Sequence, residues 1–179
     1  MWFYDVNAKL NMALNARNRL FFSLYSGGDH TVFNKLVKDY GMDWGNATAT
    51  VRWNHILNDR TNVNTSAIFS NYYYRYKSLA DGLQYLWKSD MQSYQLKSDW
   101  ETHLNNSFSL KTGVSAHYFT TMPGSVKKAT ENSNVVPSHL PRKVLWDMGL
   151  YAEAEYKFLS RFQLNAGIRL SALHAPGSS

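Results

Sequence analysis

The feature that most restricts the fold of this sequence is a set of long runs in which apolar and polar residues alternate strictly. Near the end of the chain, Trp146, Met148, Leu150 and Tyr156 share one parity, and mostly polar residues lie between them. Successive side chains of a β-strand point to opposite sides of the sheet, so a period of two predicts a strand with one apolar face. Most runs are longer than the roughly five to six residues of an ordinary strand.

About eight such runs follow one another along the 179 residues, so we predict an all-β chain. Four connections are tight and alternate with longer polar ones. The tight turns lie at 15–17, 58–61, 105–106 and 159–161, and the two longest connections lie near 26–42 and 121–142. Every tight turn therefore falls at one end of an antiparallel, up-and-down sheet.

Two segments depart from simple alternation. Residues 68–76, IFSNYYYRY, are aromatic at both parities, so the sequence leaves open which way this strand faces. Residues 83–87, LQYLW, have the opposite parity to Tyr94, Leu96 and Trp100 further along the same run. This change of parity predicts a β-bulge or a protruding hairpin stem.

Composition excludes several classes of protein. A mean hydropathy of -0.43 is too polar for a helical membrane protein, and no apolar run reaches the 18 residues of a spanning helix. The first residues lack the apolar core of a signal peptide. The absence of cysteine excludes disulfides and thiolate metal sites. The net charge of +6 comes from scattered lysines and arginines, so we expect no nucleic-acid partner.

The apolar faces could form the core of a soluble sandwich or could contact lipid. Runs of at least ~9 to 11 residues and turns that are short at one end are typical of transmembrane β-barrels. Aromatic residues near the ends of the runs suit interfacial girdles. They are Trp2, Tyr4 and Trp146 near the loop end, and Trp100, Tyr156, Phe158 and Phe162 near the turn end. We therefore predict an antiparallel up-and-down transmembrane β-barrel with lipid outside and a polar lumen.

Several phrases of the sequence resemble the β-barrel portion of TonB-dependent outer-membrane receptors. They are FYDVNAKLNMALNARNRLFFSLYSGGD, WGNATATVRWNHILNDRTNVNTSAIFSNYYYRY and FQLNAGIRLSALH. The resemblance covers most of the chain and implies a location in the bacterial outer membrane. It also implies a barrel of about 22 strands filled by an N-terminal plug. Such a receptor imports a scarce nutrient, such as a siderophore or a glycan, when the TonB complex pulls on a short N-terminal box.

The sequence departs from that family pattern because it has no plug domain, only about eight strands, and a GSS end rather than a terminal aromatic strand. We therefore expect residues 1–179 to be a single, partial barrel segment, with TonB contacts only through the missing plug. Two alternatives stay open. One is a complete small eight-stranded outer-membrane barrel acting as an anchor or adhesin. The other is a soluble β-sheet binding module.

We expect no enzymatic activity, cofactor or metal site. Glu153 and Glu155 lie two residues apart on one face, as lumen-facing charges of a barrel do, and no partner constellation accompanies them. The six histidines are dispersed without an i, i+4 pair.

Cations in or beside the two long connections are the candidate functional residues. There they could contact the anionic lipopolysaccharide surface or an anionic small-molecule substrate, although solvated loop charge is an equal alternative. The candidates are Lys35, Lys38, Lys127, Lys128, Arg142 and Lys143.

Overall fold

A computed structural model describes residues 1–35, 38–80, 83–158 and 161–176; within these ranges it leaves out the side chains of 34, 35, 38, 39 and 80. The described part of the chain is built from nine strands. They are β1 (Trp2–Asn15), β2 (Asn18–Lys35), β3 (Lys38–Asn58), β4 (Thr61–Ala80), β5 (Leu83–His103), β6 (Phe108–Lys128), β7 (Ser138–His139), β8 (Lys143–Phe158) and β9 (Phe162–His174). Eight are long and β7 has only two residues.

The strands form one antiparallel sheet in which neighbours in sequence are neighbours in space. The order is β1-β2-β3-β4-β5-β6-β8-β9, and β7 pairs with β6 beside β8. Among the described residues, β1 pairs only with β2 and β9 only with β8, so the sheet is open at both edges. The predicted all-β, up-and-down architecture is confirmed. No helix in the described ranges is long and apolar enough to cross a membrane.

Strand register brings the apolar positions of all the long strands onto one side of the sheet. Leu96 of β5 lies opposite Ala116 of β6, which lies opposite Met148 of β8. We call the side that carries these three residues the outer face and the opposite side the inner face. A one-residue slip between any two strands would mix the faces, so the apolar pattern itself specifies this register.

The outer face has no covering layer in the described part of the chain. Among the described residues, Val63 is the one large apolar side chain that is buried, with 7% of its surface exposed. By contrast, Leu150 is 55% exposed and Ile168 is 67% exposed. A water-soluble sheet of this size would hide such side chains in a core.

The tight turns lie together, as predicted, at what we call the turn end. In three of them an asparagine side chain stabilises the chain reversal by accepting a hydrogen bond from the backbone two residues on. The distances are 2.9 Å from Arg17 N to Asn15 Oδ1, 2.9 Å from Arg60 N to Asn58 Oδ1, and 2.8 Å from Ser107 N to Asn105 Oδ1. The centre of the fourth turn, 159–160, lies outside the described residues. The opposite end of the sheet is the loop end.

The segment near 26–42, predicted as a long connection, is strand over most of its length. β2 continues to Lys35 and β3 starts at Lys38, with unbroken pairing between them. Glycine is common in turns, but in this sheet the glycines of SGGD make room for aromatic rings. A Cβ on Gly28 would lie 2.8 Å from the Tyr4 ring, and a Cβ on Gly45 2.8 Å from the Tyr73 hydroxyl. Whether this hairpin stands outside the cell stays a prediction.

The second predicted connection, near 121–142, is also shorter than expected. β6 continues to Lys128, and β7 then pairs with β6 at Ser125. The pairing of β5 with β6 shifts between Lys88 and Asp90, where two steps on β5 lie opposite three steps on β6, from Met122 to Ser125. The extra residue of this bulge is therefore on β6, and not on β5, the strand whose change of parity predicted a bulge. The pairing of β5 with β4 is unbroken, so the aromatic residues of LQYLW do not follow the bulge to the outer face. They lie on the inner face.

Candidate functional site

An upper aromatic row crosses the outer face on four strands. Phe69 of β4, Tyr94 of β5, Tyr118 of β6 and Trp146 of β8 are partners in register. Successive ring centroids are 5.1, 6.1 and 4.7 Å apart, within the range of favourable aromatic pairs. The four aromatic rings therefore form a continuous row at one level of the sheet.

A lower aromatic row lies near the turn end of the same face. Phe108 and Tyr156 have ring centroids 6.4 Å apart, and Tyr156, Phe158 and Phe162 follow at 6.0 and 5.5 Å. On β8, Tyr156 comes ten residues after Trp146 of the upper row. Ten residues span roughly 33 Å along a strand, or roughly 25 Å across a bilayer when the strand tilts by about 40°. This spacing matches the apolar band of an outer-membrane barrel.

Between the two rows, the outer faces of β4, β5, β6, β8 and β9 carry no charged side chain in the described part of the chain. Small and aliphatic side chains predominate there, among them Leu96, Val114 and Leu170. Uncharged exposed apolar surface of this extent suits contact with hydrocarbon, because β4, β5, β6 and β8 also pair their backbone groups with a neighbouring strand on each side.

The inner face, by contrast, is a network of polar side chains. The Tyr151 hydroxyl donates to Asp99 Oδ1 at 2.7 Å, and Lys97 Nζ lies 2.8 Å from Asp99 Oδ2. To reach Asp99 on β5, the Tyr151 ring from β8 crosses Gly113 on β6. A side chain at 113 would overlap that ring, so the contact requires glycine there. This polar surface suits water or a polar protein segment.

At the loop end, the inner face carries a patch of aromatic side chains that we call the aromatic patch. Tyr76 is the centre, with its ring centroid 6.2 Å from Tyr40 and 5.9 Å from Tyr85. Burial, followed by the neighbouring hydroxyls of Tyr85 and Tyr40, raises the pKa of Tyr76. The other members, placed by register, are Trp44, Tyr72, Tyr74 and Trp87.

The strand that the sequence left undecided thus uses both faces. Phe69 points outward into the upper aromatic row, whereas Tyr72, Tyr74 and Tyr76 point inward. Aromatic residues at both parities of β4 therefore contribute to the upper aromatic row on the outer face and to the aromatic patch on the inner face. Sequence reasoning missed the aromatic patch and the contact from Tyr151 to Asp99. The signal for the latter was Gly113 in mid-strand, because an interior strand glycine often marks a close approach.

The structure places four of the six predicted cations, two on each face. Lys127 lies on the outer face, and the Arg142 guanidinium, 3.1 Å from Asp90, points to the same side. Lys128 and Lys143 lie on the inner face. The side chains of the other two candidates, Lys35 and Lys38, lie outside the described part of the structure. Contact of any of the six with lipopolysaccharide stays a prediction.

Glu153 and Glu155 lie on the inner face, as expected from their parity. Glu155 is 3.1 Å from Lys157 Nζ, so it belongs to a salt bridge rather than to a carboxylate pair. In the ranges that the structure describes, no group of three or more histidine, aspartate or glutamate side chains is placed to hold a metal ion.

Together these surfaces define part of a barrel wall, apolar on one side and polar on the other, and the solved structures that match the chain agree. No protein-family model and no curated protein matches the sequence. A structure titled "Copper transporter OprC" matches 97% of this chain with a TM-score of 0.75 at 12% identity. BauA, the ferric preacinetobactin receptor from Acinetobacter baumannii, also matches 97%, with a TM-score of 0.68 at 12% identity.

One of these proteins is named a copper transporter and the other a ferric preacinetobactin receptor, and this sheet has the fold of part of the barrel of each. The likeness is one of fold, given the low identity. This chain covers 29% of the copper transporter and 34% of the preacinetobactin receptor, about a third of each. Neither protein is named as an enzyme.

Proposed function

We propose that this chain forms part of the barrel wall of a TonB-dependent importer in the bacterial outer membrane. The observation that carries the proposal is the uncharged outer face between two aromatic rows about one hydrocarbon thickness apart. A polar inner face on the same strands is the second half of the barrel pattern. The fold likeness to a copper transporter and a ferric siderophore receptor supports the same function.

In this proposal the two faces have separate roles. The outer face contacts lipid, and the inner face encloses the plug, through which the TonB complex acts. The substrate is a scarce small molecule such as a siderophore or a glycan. The aromatic patch is the part of this chain best placed to meet it, because rings stacked at the loop end present flat apolar surface beside hydroxyl donors.

A complete small barrel is the second candidate, favoured by one observation. The sheet has eight long strands, and eight is enough to close a barrel whose interior is filled by side chains. Closure would pair β1 with β9, whose outer edges are unpaired in the described part of the chain. The third candidate, a soluble module, conflicts with the exposure of the outer face.

Refolding the chain in dodecyl maltoside micelles tests these candidates. Far-ultraviolet circular dichroism with and without detergent measures whether the sheet depends on an apolar phase. A sheet that forms only in detergent supports a membrane barrel, whereas the same sheet in plain buffer would refute it. Gel mobility with and without boiling then separates the two membrane candidates, because a boiling-dependent shift indicates that these strands close alone.

A further inference from the structure

The outer face changes character above the upper aromatic row. Register places Asp43, Arg75, Lys88 and Ser125 side by side on β3, β4, β5 and β6. This level lies six residues beyond Phe69 on β4 and six beyond Tyr94 on β5. Charged side chains here replace the apolar ones of the band below. Among the side chains that the structure describes, five cations and two carboxylates share the region, a formal charge of +3: Arg75, Lys77, Lys88, Lys127, Arg142, Asp43 and Asp90. We call this set the cation patch.

The internal ion pairs do not neutralise the cation patch. Arg75 is 3.5 Å from Asp43 and Arg142 is 3.1 Å from Asp90. In the part of the chain that the structure describes, no salt bridge involves Lys77, Lys88 or Lys127. The two carboxylates are therefore already engaged, and three ammonium groups are available to an external anion.

One contact within the cation patch is unfavourable by itself. Arg75 and Lys88 are direct cross-strand partners on the same face. Like charges directly opposite each other destabilise a sheet, because their Cβ atoms lie only about 5 Å apart. An anion that lies between the two cations turns this repulsion into attraction, and guanidinium and ammonium groups together suit phosphate oxygens.

The height of the cation patch indicates which anion it meets. Six residues of tilted strand raise Arg75 and Lys88 roughly 15 Å above the aromatic row. The headgroup region of a phospholipid layer extends only about 5 to 8 Å beyond the hydrocarbon. A phosphorylated saccharide attached to a membrane lipid extends further and places phosphate groups at this level.

We propose that the cation patch binds the phosphorylated saccharide of an outer-leaflet glycolipid, that is, lipopolysaccharide. The inference rests on the proposed function, because it requires the outer face to lie in an outer membrane. It also refines the sequence prediction by assigning Lys127 and Arg142 to the site and leaving out Lys128 and Lys143, which lie on the inner face. Lys88, Arg75 and Lys77, which the sequence did not single out, take their place.

The test compares two double variants with the same change of charge. The full chain, folded in detergent micelles, is titrated with rough lipopolysaccharide and with the same glycolipid after dephosphorylation. Lys88→Gln with Lys127→Gln removes two cations from the patch, and Lys128→Gln with Lys143→Gln removes two from the inner face at the same end. We expect the first pair to weaken binding of the phosphorylated form roughly 10- to 30-fold and the second to leave it unchanged.

A third variant separates binding from folding. Asp43→Asn removes the carboxylate that competes for Arg75, so we expect it to tighten binding even if it slightly weakens the fold. Equal losses in both double variants, or equal affinity for the dephosphorylated glycolipid, would overturn the cation patch. If inorganic phosphate displaced the glycolipid at concentrations that match the lipid phosphate, the cation patch would bind phosphate from any source, and the assignment of a lipid as its ligand would be wrong.

Circular dichroism on the same samples distinguishes failure of this inference from failure of the proposed function. Sheet that forms without detergent would overturn the membrane barrel itself. Detergent-dependent sheet with binding that ignores phosphate would overturn the cation patch alone. Raising the salt concentration should weaken binding in the wild-type chain, because exposed charges are screened within about 10 Å at 0.1 M salt.

Discussion

The same strands build two different surfaces on one face of the sheet. Between the aromatic rows, the outer face of β4 and β5 is uncharged, with Ala67 beside Leu96. Eight residues further along each strand, the same register places Arg75 beside Lys88. The pairing of β4 with β5 continues unbroken through both regions, so the backbone of this pair does not distinguish them. Under the proposed function, this change of side chains along a continuous strand corresponds to a change of surroundings, from hydrocarbon to an aqueous, anionic layer.

Placing a charge in the uncharged band should have the largest effect. Leu150→Arg puts a guanidinium near the middle of the outer face of β8, where we expect a loss of ~2 to 4 kcal/mol in the free energy of unfolding in lipid vesicles. Gln92→Arg, on the outer face of β5 just above the upper aromatic row, is the matched control and should cost at most ~1 kcal/mol. Urea titration in vesicles measures both, and equal costs would contradict the difference between the two regions.

Glycine-to-alanine substitutions compare how closely side chains pack around Gly113, on the inner face in the middle of the sheet, and around Gly41, near the loop end. Gly113→Ala forces the Tyr151 ring away from the inner face, and we expect it to cost ~1 to 3 kcal/mol, as overpacking does elsewhere. At Gly41, in the loop-end extension, an added Cβ would meet only the Lys77 Cβ, at 3.8 Å. Gly41→Ala should therefore be close to neutral in the same urea titration. A larger effect at 41 than at 113 would refute the ring placement.

Removing one hydroxyl tests the inner-face network without changing its shape. Tyr151→Phe keeps the ring over Gly113 and removes the 2.7 Å hydrogen bond to Asp99. We expect a loss of ~1 to 2 kcal/mol, because the bond ends on a charged acceptor that Lys97 also contacts. Tyr156→Phe, whose ring lies in the lower aromatic row, is a control of the same chemistry. If both variants unfold at the same urea concentration, the hydroxyl of Tyr151 contributes nothing specific.

The smallest effect is expected from an exposed ion pair of the loop-end region. Arg142→Gln breaks the contact with Asp90, in which the arginine side chain is 50% exposed. Surface pairs of this kind contribute ~0.2 to 1 kcal/mol, so the unfolding midpoint should hardly move. A loss larger than that of Tyr151→Phe would mean that the cation patch supports the fold rather than a ligand.

Much of the fold was predictable because it follows from local geometry. Asn15, Asn58 and Asn105 mark three turns whose backbone hydrogen bonds lie within two residues. The strand ends were predicted less well, since glycines such as Gly28 suggest a turn unless the ring that covers them is known. The sequence could not predict that Lys127 and Arg142 share a face. That arrangement depends on the shift in the pairing of β5 with β6 and on the salt bridge from Arg142 to Asp90.

The sequence by itself determined that the chain is a set of long strands with one apolar and one polar face, because side-chain direction in a strand depends only on parity. Tertiary structure decided what happens between strands that are distant in sequence. Tyr151 reaches Asp99 across 52 residues, and Arg75 meets Lys88 through a hairpin, because register makes them neighbours. Parity is a property of the single chain, whereas register is a property of pairs of strands. The cation patch and the inner network therefore appeared only once the sheet was assembled.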